Sequence, residues 1–157
     1  MIRVGLGYDL HRLIEGRKLL LGGIELPFEK GEDGHSDGDV LFHAVTDAIL
    51  GASGLGDIGS FFPPEEAKWK NADSAELLRT VVKEVYKSGW KIENLDCVVK
   101  LEKPKFIPFR QAVIENIAKV LEIEPCQVFV KAKTGEKLPP VGTGDAVEAF
   151  VTCLLSK

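Results

Sequence analysis

The 157-residue chain has no apolar run approaching the roughly 20 residues that a membrane-spanning helix needs, so no membrane partner is expected. It is short of cysteine. Cys97, Cys126 and Cys153 are odd in number and widely scattered, and none falls in a CxxC pair. That argues against a disulfide framework or a cysteine-rich zinc site and suits a reducing, cytoplasmic location. The opening MIRVGLGYDL lacks the apolar core of a signal peptide. Basic charge is also in short supply: 20 Lys and Arg against 24 Asp and Glu give a formal net charge of −4. Neither a nucleic acid nor an anionic membrane surface is then an expected partner. A small phosphorylated ligand in a locally positive pocket remains compatible. Histidine is as scarce as cysteine, with three residues in the chain.

No repeat, linker or low-complexity tract divides the chain, so residues 1–157 read as one domain. IRVGLGYDL reads as a strand and LLLGGIELPF as a hairpin about Gly22 and Gly23. KGEDGHSDGD is a polar, glycine-rich loop, and an apolar-periodic helix follows from Asp39, its N-cap, to Ser53. GLGDIGSFFPPEE is too rich in Gly and Pro for regular structure. A second helix begins at Asp73 or Ser74 and stops at Gly89, and a third runs from Pro108 to Leu121. LDCVVKLE and QVFVKAK read as strands, and AVEAFVTCLL as a strand in preference to a helix. The expected class is α/β (α+β), a mixed sheet with helices packed on one face.

All three histidines fall in or beside GYDLH and DGHSDGDVLFH. Asp9 and His11 are two apart near the predicted strand's end, and period-2 alternation sends both side chains to one face. His43 lies one turn into the predicted helix, where it can add a third ligand if that helix packs beside the strand. Two nitrogens and one oxygen suit zinc and leave a fourth position open. Asp47, four residues beyond His43, is the candidate acceptor that would fix the imidazole tautomer. The bland alternative has Asp9 capping a turn, His11 at the surface and His43 as a satisfied core residue. The residues by themselves do not choose between the two.

Two further stretches are ambiguous when taken alone. GHSDGD opening onto a helix offers main-chain N–H groups to a phosphate, but Asp37 and Asp39 would repel an anion, and an ordinary capped turn is the stronger reading. VKAKTGEK joins Lys131, Lys133, Thr134 and Glu136, donors for phosphate oxygens and a carboxylate for magnesium. A solvated charged loop explains it as well. LEKPKF is a turn with lysines.

Taken together, GYDLH, LLLGG, GHSDGDVLFHAVTDAILGASGLGDIGSFFP, ADSAELL, NLD, KPK and VKAKTGEKL resemble the 2-C-methyl-D-erythritol 2,4-cyclodiphosphate synthase family, in one order and through nearly the whole chain. The resemblance implies a homotrimer whose sheets face the threefold axis, with active sites between subunits. It implies zinc held by Asp9, His11 and His43, and magnesium or manganese at Glu136. The implied substrate is a cytidine diphosphate ester of methylerythritol 2-phosphate, cyclised with loss of CMP in the non-mevalonate route to isoprenoids.

By matching motif, His35 and Ser36 would contact the erythritol phosphate beside Asp9 and His11. His35 and Thr134 would steady the transition state. Asp57, Ile58 and Gly59 would hold the ribose, and Phe62, Pro63, Pro64, Glu65 and Glu66 would cover the erythritol. From the neighbouring subunit, Leu101, Glu102, Lys103, Pro104, Lys105, Phe106 and Ile107 would form the cytosine pocket. Lys133, Gly135, Glu136, Pro140 and Thr143 would complete the diphosphate end.

The C-terminal loop departs from the family pattern. Lys133 stands where a threonine is usual, Pro139 and Pro140 replace Gly-Phe, and Thr143 replaces an arginine that pairs with the acidic residue represented here by Asp145. Lys133 is expected to compensate in part for that lost charge. A trimeric binding protein without turnover and a zinc-dependent phosphoesterase are the competing readings.

Overall fold

The architecture follows from the alternation in the first strand. In the computed structural model, which describes residues 1–63 and 65–157, strand β1 spans Ile2–Glu15. Gly5, Gly7, Asp9, His11 and Leu13 take one face; Ile2, Val4, Leu6, Tyr8 and Leu10 take the other and are exposed. The two glycines decide which face is covered. A Cβ on Gly5 would stand 1.8 Å from the Ala48 carbonyl oxygen, and one on Gly7 would stand 1.8 Å from that of Ala44. Helix α1, Val40–Ser53, therefore lies directly on the strand, closer than any side chain would permit.

Helix α1 is buried on most of its circumference, from Val40, Leu41 and Phe42 to Ile49 and Leu50. Asp39 caps it as expected, its carboxylate accepting from Phe42 N–H at 3.0 Å, and Gly54 ends it in the left-handed conformation. The hairpin forms from β2, Leu19–Leu21, and β3, Ile24–Leu26.

Two expectations are corrected here. Part of the polar loop forms β4, Lys30–Asp33, which pairs antiparallel with the end of β1 from Arg12 to Glu15. This non-local pairing extends β1 past the predicted end near Leu10. The Gly- and Pro-rich stretch contains a short helix, α2, Ile58–Phe61, because Asp57 caps it by accepting from Ser60 N–H at 2.8 Å.

The remaining elements are α3, Ser74–Lys87; β5, Lys91–Lys100; α4, Arg110–Leu121; β6, Val128–Lys133; and β7, Ala146–Ser156. The last resolves the strand-or-helix ambiguity in favour of a strand. The sheet order is β4-β1-β7-β5-β6, with β5 and β6 parallel and the other pairs antiparallel. Helix α3 packs on α1 and α4, and α4 on β6, so the helices share one face of a mixed sheet. No helix among the described residues is long and apolar enough to cross a membrane.

Candidate metal centre and its pocket

Strand β1 and helix α1 deliver three ligand atoms to one point. Asp9 Oδ2 lies 2.9 Å from His11 Nε2 and 3.0 Å from His43 Nδ1. The two imidazoles meet edge to face with ring centres 5.1 Å apart. The period-2 expectation for Asp9 and His11 holds, although the pair sits within the strand and not at its end.

The electrostatics suit a cation. Burial alone would raise the Asp9 carboxyl, but hydrogen bonds and charge from His11 and His43 reverse it and hold the group well below the usual carboxylate range. Burial would likewise lower His11, and the Asp9 carboxylate outweighs it, leaving the imidazole raised. One carboxylate oxygen faced by two ring nitrogens is held at those distances either by ring N–H groups or by positive charge among the three atoms. A divalent ion bound by the three atoms supplies that charge with both imidazoles neutral. The donor set therefore fits a metal, and zinc among metals.

The tautomer of His43 is set from its far side. Nε2 lies 3.0 Å from the hydroxyls of Ser36 and Ser74. Ser74 Oγ donates to Asp37 Oδ1 at 2.5 Å, so its lone pair faces the imidazole and accepts from Nε2–H. The Nδ1 lone pair is left for the metal position. This corrects the role assigned to Asp47: its Oδ1 accepts from Ile58 N–H at 2.8 Å, and its carboxylate tethers α2 in place of orienting His43. Sequence reasoning takes Ser74 for a helix cap and misses its contact with His43, 31 residues away.

A cavity of about 260 Å³ opens beside the three ligands. His35, Ser36, Asp47, Ile58, Gly59 and Phe62 line it, together with Trp69 and Leu77, which the sequence did not mark. Trp69 meets Phe62 edge to face at 5.0 Å. Asp57 is exposed at the start of α2, its carboxyl lowered by the hydroxyl and N–H of Ser60. Pro63 is half-buried, Glu65 and Glu66 are exposed, and Pro64 lies outside the described residues.

The other expected ligand-contacting residues gather elsewhere in the protomer and do not line this cavity. Leu101 N–H donates to the Lys133 carbonyl, and Glu102 accepts from Gly135 N–H, both at 2.9 Å. Thr134 Oγ1 donates to Glu136 Oε1 at 3.0 Å. Pro104 and Lys105 lie in the turn after β5, with Phe106 buried and Ile107 exposed. Lys103 and Thr143 border a second cleft of about 320 Å³ with Lys30 and Glu102. Thr143 Oγ1 donates to Asp145 Oδ2 at 2.5 Å and lies 2.9 Å from the Pro140 carbonyl oxygen. Lys30 donates to the Gly144 carbonyl at 3.2 Å and stands 3.9 Å from Asp145, which places a cation beside this turn.

Comparison with known proteins bears on both regions. A family model described as the YgbB family matches residues 2–156. The chain is 57% identical over 154 residues to the 2-C-methyl-D-erythritol 2,4-cyclodiphosphate synthase of Treponema denticola, covering 98% of this chain and 96% of the relative. Among solved structures, it resembles a CDP-bound 2C-methyl-D-erythritol-2,4-cyclodiphosphate synthase at 38% identity and a TM-score of 0.90, covering 98% of this chain and 100% of that one. It also resembles the bifunctional IspDF of Campylobacter jejuni at 42% identity and a TM-score of 0.95, covering 99% of this chain and spanning 42% of that longer one.

Proposed function

The chain belongs to the YgbB family, and from that premise we propose that it is a phosphorus–oxygen lyase of the non-mevalonate isoprenoid route. It converts 4-diphosphocytidyl-2-C-methyl-D-erythritol 2-phosphate to 2-C-methyl-D-erythritol 2,4-cyclodiphosphate and CMP. The observation carrying this reading is the convergence of Asp9, His11 and His43 in one pocket with His35 and Ser36.

An oxygen of the 2-phosphate attacks the phosphorus nearer the sugar alcohol; that P–O bond forms as the bond to CMP breaks, and CMP leaves with the electron pair. The nucleophile is already an anion, so no general base is needed. Asp9, His11 and His43 would hold zinc, which when bound would supply positive charge against the repulsion of two phosphates. Glu136 provides a carboxylate for magnesium or manganese at the diphosphate. His35, Ser36 and Thr134 donate to phosphate oxygens, and Asp57 accepts from the ribose hydroxyls. Phe62 and the residues after it exclude water from the erythritol. Holding the chain in its ring-closing shape contributes up to about 7–11 kcal/mol, the range for well-oriented intramolecular reactions.

The reading takes residues 1–157 as a single catalytic domain acting in the cytoplasm as a homotrimer. Each active site combines the metal-side pocket of one subunit with residues 101–107 of its neighbour, where cytosine binds, and with residues 133–143 at the diphosphate. Two observations support this. Segments 101–107 and 133–136 pair with one another within a protomer but do not line its metal pocket. The uncovered face of β1 is a row of apolar side chains that a second copy would cover. The test is incubation of the metal-loaded protein with the cytidylyl substrate, following CMP release and the product by phosphorus NMR. Equal amounts of CMP and cyclic diphosphate are expected. Linear phosphates alone would mean hydrolysis, and binding without product would mean that turnover has been lost.

A further inference from the structure

Arg17 has no carboxylate partner among the described residues, although it is half-buried. Its guanidinium instead donates to three main-chain carbonyls in one short segment. Nε reaches the Glu32 carbonyl at 3.0 Å, and one terminal nitrogen reaches those of Gly34 and Ser36 at 3.4 and 3.2 Å. These residues alternate, so one edge of the segment faces Arg17. The opposite edge is held from residues 71–72: Asn71 N–H donates to the His35 carbonyl at 3.0 Å, and Asp37 N–H donates to the Ala72 carbonyl at 3.1 Å. Gly31 makes the approach possible, since a Cβ there would fall 2.1 Å from the Lys18 carbonyl oxygen and 2.4 Å from that of Arg17.

The segment so clamped carries His35 and Ser36, which line the pocket and which the proposed function sets against the reacting phosphate. Ser36 also bonds Nε2 of His43 at 3.0 Å. We propose that Arg17 is a positioning residue for the reaction: its planar fork fixes the segment from Glu32 to Ser36, and thereby aims His35 and Ser36 at the reacting phosphate without touching substrate. This rests on the function proposed above. A guanidinium is required because its donors are spread across one rigid plane, whereas an ammonium is a single point charge that does not span three carbonyls.

The experiment compares wild type with Arg17→Ala and Arg17→Lys, measuring kcat, KM, bound zinc and melting temperature. A displacement near 1 Å at reacting groups costs up to about 100-fold in rate. Arg17→Ala is therefore expected to lose about 10- to 100-fold in kcat, with KM within about threefold of wild type and zinc retained at the wild-type ratio. Added methylguanidinium is expected to restore part of the lost kcat in Arg17→Ala and to leave wild type unchanged. Arg17→Lys, the milder change should the alanine variant not fold, is expected to lose about tenfold. Wild-type kcat in either variant overturns the proposal, as does a loss of kcat that simply follows loss of zinc and of the melting transition. Absence of cyclic product from wild type would instead overturn the proposed function.

Discussion

Nδ1 of His43 stands 3.0 Å from Oδ2 of Asp9, although 34 residues separate them. One comes from a strand and the other from the helix laid across it, so the metal position depends on that packing as much as on the ligands. His43→Ala leaves Asp9 and His11 in place and removes the atom α1 contributes. Metal affinity is expected to fall by more than about 100-fold, the upper end of what loss of a ligand's hydrogen-bond partner costs. Turnover goes with it, while the far-ultraviolet circular dichroism stays native. One metal per chain in the dialysed variant would contradict this.

A second expectation concerns Glu32, the buried carboxylate of β4. Burial and the nearby Asp39 push its carboxyl up, against the pull of N–H groups from Leu20 and Val40. The folded protein then holds this proton to higher pH than the unfolded chain does. Its stabilising effect is complete below the ordinary carboxylate range and is lost as pH rises towards the raised folded value. Each tenfold difference in proton affinity between the folded and unfolded chain is worth about 1.4 kcal/mol. Between about pH 5 and pH 8, wild type should therefore lose about 1–3 kcal/mol of stability relative to Glu32→Gln. Urea unfolding of both proteins across that interval checks it; parallel profiles rule it out.

Two glycines near and on α1 should behave oppositely. Gly7→Ala puts a Cβ 1.8 Å from the Ala44 carbonyl oxygen and 2.8 Å from the Ala48 nitrogen, so the helix must rise from the strand. Such overpacking costs about 1–3 kcal/mol, and metal affinity should fall as well because Ala44 follows His43 directly. Gly51→Ala meets nothing within 4 Å and is expected to stabilise the helix by about 0.5–1 kcal/mol. Denaturation midpoints and metal titration of the pair check both. Equal effects would mean that the contact between α1 and β1 is not the constraint.

Much of this is legible in the sequence wherever the governing interaction is local. Period-2 alternation pairs Asp9 with His11, Asp39 announces the start of α1, and turn glycines bound the hairpin. What escapes depends on distant partners. β1 continues past Leu10 because β4 and β7 supply its hydrogen bonds. Asp47 lies near His43 by helical spacing, yet the Ile58 N–H takes its carboxylate. Ser74 looks like a cap because nothing local shows that Asp37 orients its hydroxyl towards an imidazole on another helix.

The last expectation joins the open face of the sheet to the active site. Ile2, Val4 and Leu6 are each about 70% exposed, and Tyr8 continues the row with its ring 4.8 Å from that of Phe150. Leu6→Glu therefore costs the isolated protomer little, since the side chain already faces solvent. In the proposed homotrimer it would bring carboxylates into an apolar contact, where burying unpaired charge is strongly unfavourable. Sedimentation should show wild type as a trimer and the variant as a monomer with native circular dichroism and an intact metal site. Turnover should vanish with the trimer, because residues 101–107, proposed to bind cytosine, would come from the neighbour. Zinc retained without turnover separates this outcome from damage to the metal centre, and a monomer turning over at the wild-type rate would show that one protomer builds the whole site.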